Sequence, residues 1–320
     1  MRILFVTGTR IGDAVLSTGL LGYLIERSPG ARLTIAAGPA AAPLFTAVPG
    51  LERLLTVVKR RYALHWLELY RAVAPTRWDL VVDLRGSALA YLLAARERRV
   101  MAKGDAGMHR VRQLGRLFAL DPPPAPLLWT AAEHEQRASL LVPPGTPVLA
   151  VGPTANWRGK QWRAERFAEL AARLTAPSGP LPGARVAVLA AAHERAQAAP
   201  LLAALPPDRC LDLAGHTDLL TAAAALRRCA LFVGNDTGVM HIAAAVGTPT
   251  LGLFGPSLPE QYAPWGQRTA VVRTTKSYAE IVGSPDYDHR TTDTQMDSLS
   301  VDAVEASARQ LWASIQGEAA

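Results

Sequence analysis

Apolar residues enter this chain mainly as short uninterrupted runs, each bounded by Gly, Pro or small polar residues. Runs with no alternating solvated side predict strands buried on both faces, the pattern of a parallel sheet. Arg2 to Gly8 is the first such run, and an amphipathic helix is expected after it over Ala14 to Glu26. Arg32 to Ala37, Arg53 to Val57 and Asp79 to Leu84 read as further strands separated by helical stretches. The pattern dissolves into turn residues at Asp121-Pro122-Pro123-Pro124 and again at Pro143-Pro144-Gly145-Thr146-Pro147. The second cluster predicts a boundary between domains at 1–145 and 146–320. Val148 to Gly152 restarts the alternation, and Arg185 to Ala191 and Cys210 to Gly215 continue it. The most informative stretch then follows. A strand at Ala230 to Val233 leads through Gly234-Asn235-Asp236-Thr237-Gly238 into a small apolar helix, Val239 to Val246, and Gly247-Thr248-Pro249 precedes a strand at Thr250 to Phe254. Strand, turn, helix, strand is a parallel crossover unit. Regularity is lost after Pro256 until a terminal helix, Val301 to Ile315. The expected fold class is α/β, with two doubly wound parallel sheets of Rossmann type.

In open parallel sheets ligands bind outside the carboxyl ends of the strands, where Asp236 to Gly238 fall. The free N–H groups and dipole of a helix start favour an anion such as a diphosphate, and the flanking glycines allow close backbone approach. A carboxylate beside that anion is costly unless it accepts hydrogen bonds, so Asp236 is expected to hold sugar hydroxyls or backbone donors. Simple capping of the helix by Asn235, Asp236 or Thr237 is the competing reading. In the loop Pro153 to Trp162, PTANWRGKQW, the Lys160 ammonium is a candidate counter-charge for a diphosphate, and Trp157 either stacks on a base or packs on the sheet. Glu194 follows a strand at the position where an acid takes ribose hydroxyls, with His193 as its neighbour. His241 serves either as a ligand or as a packed helix-face residue. Near the N-terminus, Gly8 and Gly12 form neither a Walker loop nor a GxGxxG loop. Asp13 stands at the mouth of the first strand, a catalytic position or a helix cap. Asp83 and Arg85 end the fourth strand, lining a cleft or forming a solvated pair.

The run GNDTGVMHIAAAVGTPTLGLFGPS closely resembles the signature of the heptosyltransferase family, glycosyltransferase family 9, and the likeness covers most of the chain. The resemblance implies a GT-B fold, two Rossmann-like domains facing across a cleft, with the nucleotide sugar on the C-terminal side. GDAVLST is similar to the family's N-terminal motif, whose Asp acts as general base, which implies that role for Asp13. Gly19 departs from that motif, where the family commonly has proline. The family's diphosphate loop, a Thr-containing turn and a Lys ahead of a Trp, implies Thr154, Asn156 and Lys160 as donor-binding residues. Glu194, Asp236, Thr237, Gly238 and His241 complete the implied donor set. The implied reaction is inverting transfer of a heptose from ADP-heptose to a lipopolysaccharide-core acceptor, without metal or cofactor. Two alternatives remain open, a nucleotide-sugar epimerase of the same fold and a binding protein that has lost catalysis.

Composition narrows the partners. With 320 residues the chain suits two α/β domains, and its two cysteines, Cys210 and Cys229, are too few for a disulfide framework or a zinc site and are read as buried thiols. A net charge of +7 implies an anionic partner, whether nucleic acid, membrane surface or phosphorylated substrate. Nucleic acid ranks last, because zinc-finger spacing, RNP aromatics and basic heptad helices are all missing. Three basic clusters, Lys59-Arg60-Arg61, Arg96-Arg98-Arg99 and Arg110-Arg112-Arg116, suit an acceptor bearing phosphates or carboxylates near an anionic membrane. Arg60, Arg61 and Arg85 are the acceptor-side candidates. No apolar run reaches the ~18 to 20 residues of a membrane span, and the expected location is the cytosol, at the cytoplasmic face of the inner membrane. Asp286-Tyr287-Asp288-His289 offers metal-ligand spacing, but its Ser, Thr, Asp and Pro surroundings favour a loop.

Overall fold

The apolar runs do become strands, and every strand pairing between them is parallel. The computed structural model describes residues 1–102, 104–105, 107–284, 287–288 and 293–318. It separates into two units, Met1–Ala131 and Ala132–Ala320.

The first unit runs β1 (Arg2–Val6), α1 (Ile11–Arg27), β2 (Arg32–Ala37), β3 (Leu51–Thr56), α2 (Leu64–Val73), β4 (Trp78–Asp83), α3 (Leu89–Leu92), β5 (Ala95–Val100) and α4 (Arg110–Arg116). Its sheet order is β3-β2-β1-β4-β5. Ile3, Leu4, Phe5 and Val6 of β1 are almost wholly buried, as a central strand covered on both faces must be. β5 was not expected as a strand. Its sequence, ARERRV, is charged because it lies at the sheet edge, where charge discourages pairing with another chain. Of its arginines, Arg98 is structural, donating to the carbonyls of Ala90, Leu93 and Ala95, and Arg99 pairs with Glu97 at the surface.

The second unit runs α5 (Ala132–Leu141), β6 (Val148–Gly152), α6 (Ala164–Leu174), β7 (Arg185–Val188), α7 (Arg195–Ala204), β8 (Cys210–Asp212), α8 (Leu219–Arg227) and β9 (Leu231–Asn235), followed by α9 (Gly238–Ala245), β10 (Thr250–Phe254), α10 (Pro259–Tyr262), β11 (Thr269–Arg273), α11 (Tyr278–Val282) and α12 (Val301–Glu318). The order β11-β10-β9-β6-β7-β8 is the doubly wound arrangement, with its reversal point between β6 and β9. The division falls before α5, whereas the Pro-rich cluster after that helix suggested residue 145. α5 goes with the second unit because Glu135 pairs with Arg227 of α8, and Arg137 donates to the His216 carbonyl. The buried positions Val304, Ala308, Leu311 and Ile315 of α12 join the core of the second unit, beside α6, β10 and β11. Cys229 is buried, and burial pushes its thiol up to about 12, whereas Cys210 on β8 is only half-buried.

Glycines set two close approaches that position the chemistry. Gly152, Gly234 and Gly252 form one cross-strand row on β6, β9 and β10. A Cβ on Gly152 or Gly234 would meet the Phe232 ring of β9 at 2.8 or 2.6 Å, and one on Gly252 would meet Met240 of α9 at 2.6 Å, so the row leaves room for that ring and for α9 against the sheet. Gly19 does the same for α1. A Cβ there would stand 2.4 Å from the Pro124 carbonyl oxygen and 2.5 Å from that of Ala125, and Thr18 Oγ1 accepts from Leu127 N at 3.0 Å. The departure from proline therefore accommodates the 124–127 segment against an unbroken helix. An exposed helical Gly→Ala change stabilises by about 1 kcal/mol. Gly19→Ala is expected to reverse that sign and cost about 1–3 kcal/mol, because two backbone carbonyls must move. Urea unfolding of the variant checks this, and a gain in stability would show the segment is free to shift.

Candidate functional site

Both units place their polar side chains at the carboxyl ends of the strands, close to where each sheet reverses its winding. In the first unit, β1 feeds α1 through Gly8-Thr9-Arg10, and the helix starts at Ile11, earlier than the apolar pattern suggested. Asp13 therefore lies in the first helical turn, where the dipole favours a carboxylate. The N-cap of α1, Arg10, makes no side-chain cap hydrogen bond. A Cβ on Gly8 would stand 2.7 Å from the Asp13 Cβ, so the turn closes this tightly only with glycine. Asp13 lines a pocket of about 210 Å³ with Thr7, Ser17, Arg85 and Arg110 among its walls. Thr7 Oγ1 and Ser17 Oγ share a hydrogen bond of 2.7 Å at the pocket wall.

Arg85 reaches that pocket while its guanidinium lies 4.5 Å from the centre of the Trp66 ring. Burial lowers the Arg85 pKa from its ordinary value, opposed by the Asp83 carboxylate. Asp83 does not form a solvated pair with it. The Asp83 side chain is fully buried and accepts from the backbone N–H groups of Arg85 and Ser87, both at 2.8 Å, so it shapes the loop. Arg60 and Arg61 are not drawn to the pocket. They follow β3, an edge strand two places from β1, and Arg60 pairs with Glu68 at 3.1 Å on the surface. Arg110, read from the sequence only as part of a basic cluster, is the second guanidinium of the pocket, brought there by α4 packing on α1.

In the second unit the rim gathers most of the donor-side candidates. Lys160 Nζ stands 2.5 Å from Asp236 Oδ2, although the two lie on different loops, after β6 and after β9. The Asp236 side chain is 7% exposed and that of Lys160 is 22% exposed, so this pair is shielded from solvent far more than a surface ion pair. The His241 ring, also buried, places Nε2 3.9 Å from the other Asp236 oxygen. Thr154 Oγ1 donates to Glu194 Oε2 at 2.8 Å, joining the loops after β6 and β7. Thr237 is the N-cap of α9 but makes no side-chain cap hydrogen bond, and its buried hydroxyl has no partner among the described residues. Asp236 is thus paired with an ammonium instead of capping the helix, and Gly238 opens the helix whose first N–H groups it leaves uncovered.

Asn235 has a role that sequence reasoning missed. Wholly buried, it donates to the Pro153 carbonyl at 2.9 Å and accepts from Trp162 N at 3.1 Å, so it pins both ends of the Lys160 loop. Its place at a strand end beside Asp236 was the available signal. Trp157 packs edge-on against Tyr287, with ring centroids 6.0 Å apart, and Gly159 lies against its face. Asn156 is exposed on this loop. Of the proposed metal-ligand run, Asp286 and His289 lie outside the described residues.

The model of glycosyltransferase family 9 (heptosyltransferase) matches residues 74–286. The chain is 26% identical over 320 residues to lipopolysaccharide heptosyltransferase 2 of Salmonella typhimurium, spanning 88% of this chain and 90% of that protein. Among solved structures it is similar to a glycosyl transferase family 9 protein of Veillonella parvula, with a TM-score of 0.78 at 20% identity over 98% of this chain and 97% of that one. The ADP-heptose lipopolysaccharide heptosyltransferase II of Escherichia coli follows with a TM-score of 0.75 at 20% identity, covering 99% and 100% of the two chains. The two parallel-sheet domains are those of the GT-B fold.

Replacing Lys160 with Met leaves the Asp236 carboxylate buried without its ammonium. That change is expected to lower stability by about 2 kcal/mol, and Asp236→Asn in the same background is expected to recover part of the loss. Urea unfolding of the two variants and the wild type measures both, and equal stability of all three would mean the pair is not formed in solution.

Proposed function

The chain belongs to glycosyltransferase family 9, the heptosyltransferase family, and from that membership we propose that it transfers a heptose from ADP-heptose to a lipopolysaccharide-core saccharide, with inversion at the anomeric carbon. The observation that carries this reading is the C-terminal rim, where Lys160 meets Asp236 beside the uncovered start of α9. That rim holds one ammonium, a helix dipole and free N–H groups, a combination suited to a diphosphate. Glu194 and Thr154 stand where ribose hydroxyls are taken in doubly wound folds. Asp236 and His241 then face the sugar, and Thr237 and Gly238 the phosphates. Asn156 joins them from the exposed part of the loop.

The acceptor belongs to the first unit. Asp13 removes the proton of the acceptor hydroxyl as its oxygen forms the new bond to the anomeric carbon, and the bond to the diphosphate oxygen breaks. The leaving diphosphate carries its charge onto Lys160 and the α9 dipole, and no metal takes part. Arg85, with Arg60 and Arg61 on the surface beyond it, attracts an acceptor that bears phosphates or carboxylates. The reading thus names a nucleotide-diphosphate sugar, an anionic glycolipid acceptor and an adjacent anionic membrane surface as the partners. No described helix is long and apolar enough to cross a membrane.

Substitutions in both units and two control incubations test the roles. Asp13→Ala is expected to retain ADP affinity in calorimetry while transfer falls by about 10²- to 10⁴-fold, the usual contribution of a positioned base. Undiminished transfer by that variant would remove Asp13 from the mechanism. Lys160→Ala is expected to weaken ADP binding itself, and excess EDTA to leave transfer unchanged. Incubation with ADP-heptose alone separates transfer from epimerisation, because an epimerase converts the sugar nucleotide without an acceptor.

A further inference from the structure

The segment from Val58 to Leu67 in the first unit exposes apolar side chains among its basic ones. Tyr62 is 90% exposed, Val58 52%, Leu64 48% and Leu67 43%. On α2, His65, Leu69 and Val73 point into the core, while Leu64 and Leu67 sit outside beside Glu68 and Arg71, so the helix carries apolar side chains on its outer side too. A soluble surface helix carries a polar outer face, and a contiguous apolar patch rimmed by polar residues marks an interaction site. The backbone ahead of it is strained in the direction of exposure. Tyr62 and Ala63 occupy the left-handed region at φ 53 and φ 57, conformations that neither side chain favours, and they leave the tyrosine ring in solvent.

The chemistry around the patch selects the partner. Lys59, Arg60, Arg61 and Arg71 are exposed along it, and the one acid on the outer face of α2, Glu68, is held by Arg60 at 3.1 Å. The same layer continues at α3, where Tyr91 and Leu92 are 68% and 67% exposed while Leu89 and Ala90 enter the core shared with Leu69 and Val73. An exposed tyrosine and aliphatic side chains between lysine and arginine are the composition of an interfacial lipid-binding element. A second copy of this chain docking by the same face would oppose like charges.

We propose that the outer face of residues 58–67, extended by Tyr91 and Leu92, docks on an anionic phospholipid surface. Tyr62, Leu64 and Leu67 enter the headgroup boundary, and Lys59, Arg61 and Arg71 meet the lipid phosphates. Trp66, on the same helix, stacks on Arg85, which lines the Asp13 pocket. The docked face therefore lies beside that pocket and presents a membrane-anchored saccharide to Asp13, an extension that rests on the transferase reading above.

Cosedimentation of the full chain with phosphatidylcholine vesicles, and with mixed phosphatidylcholine and phosphatidylglycerol vesicles, tests the docking. The wild type is expected to pellet with the mixed vesicles in a salt-sensitive manner and to stay mostly in solution with phosphatidylcholine alone. A Tyr62→Ser, Leu67→Ser double variant is expected to lose about tenfold or more in partitioning at an unchanged melting temperature, and Lys59→Gln about fivefold. Transfer to a lipid-free acceptor saccharide is expected to be unaffected in the double variant, with transfer to a vesicle-borne acceptor reduced. Wild type that remains in solution with mixed vesicles overturns the proposal, as does a double variant that binds like wild type. A dimer dissolved by the same double substitution, without vesicle binding, assigns the face to a second copy and also overturns it. Vesicle binding by a protein inactive on every acceptor upholds the docking and sinks the transferase reading instead.

Discussion

A parallel strand covered by helices on both faces has no room for a polar side chain along its length, so polar chemistry is confined to its ends. Both sheets obey that constraint. β1, β6 and β9 are buried almost throughout, and polar or charged residues enter where they stop: Asp13 beyond β1, Thr154 and Lys160 beyond β6, Asn235 and Asp236 at the end of β9. The winding reverses between β1 and β4 and again between β6 and β9. At such a point the connecting loops diverge to opposite faces and leave a crevice, which accounts for where these residues collect.

The acids near these ends differ in what surrounds them. Asp83 is satisfied by backbone N–H groups and only shapes a loop. Asp236 is held by an ammonium on another loop and flanked by an imidazole. Asp13 faces a pocket with two guanidinium walls. Asp83 ends β4 in register with Val6 and is wholly buried, whereas Asp13 lies beyond Val6 in the first turn of α1 and lines open volume.

The net charge of +7 is a poor guide to any single arginine. Many of the arginines are used to build the fold. Arg163 and Arg173 hold Asp293, Asp297, Asp302 and Glu305, tying α6 to α12 and to the segment that leads into it. Hydrogen bonds from these arginines and from Arg158 keep Asp293, Asp297 and Glu305 below the usual carboxylate range. Apart from Glu305 these groups are well exposed, so the ties fix position more than they stabilise. Fold-building arginines and ligand-facing ones look alike in the sequence, since an arginine's partner is set by what packs beside it.

The sequence by itself determined that this is an α/β chain of parallel strands, and which residues follow each central strand. Burial on both faces demands unbroken apolar runs, and that demand is local. The start of α9 was legible for the same reason, through a strand, a glycine turn and a small-residue helix in succession. The edge strands β3 and β8 were legible but β5 and β11 were not: β5, ARERRV, carries charge in place of an apolar run, and the short β11, TAVVR, lies in the irregular stretch after Pro256. Only the tertiary structure decided that Lys160 meets Asp236, that Thr154 meets Glu194, and that Arg110 lines the Asp13 pocket while Arg60 and Arg61 stay on the surface. Those pairings join residues 40 and 76 positions apart for the two side-chain contacts, and sheet order, not local pattern, brings such ends together.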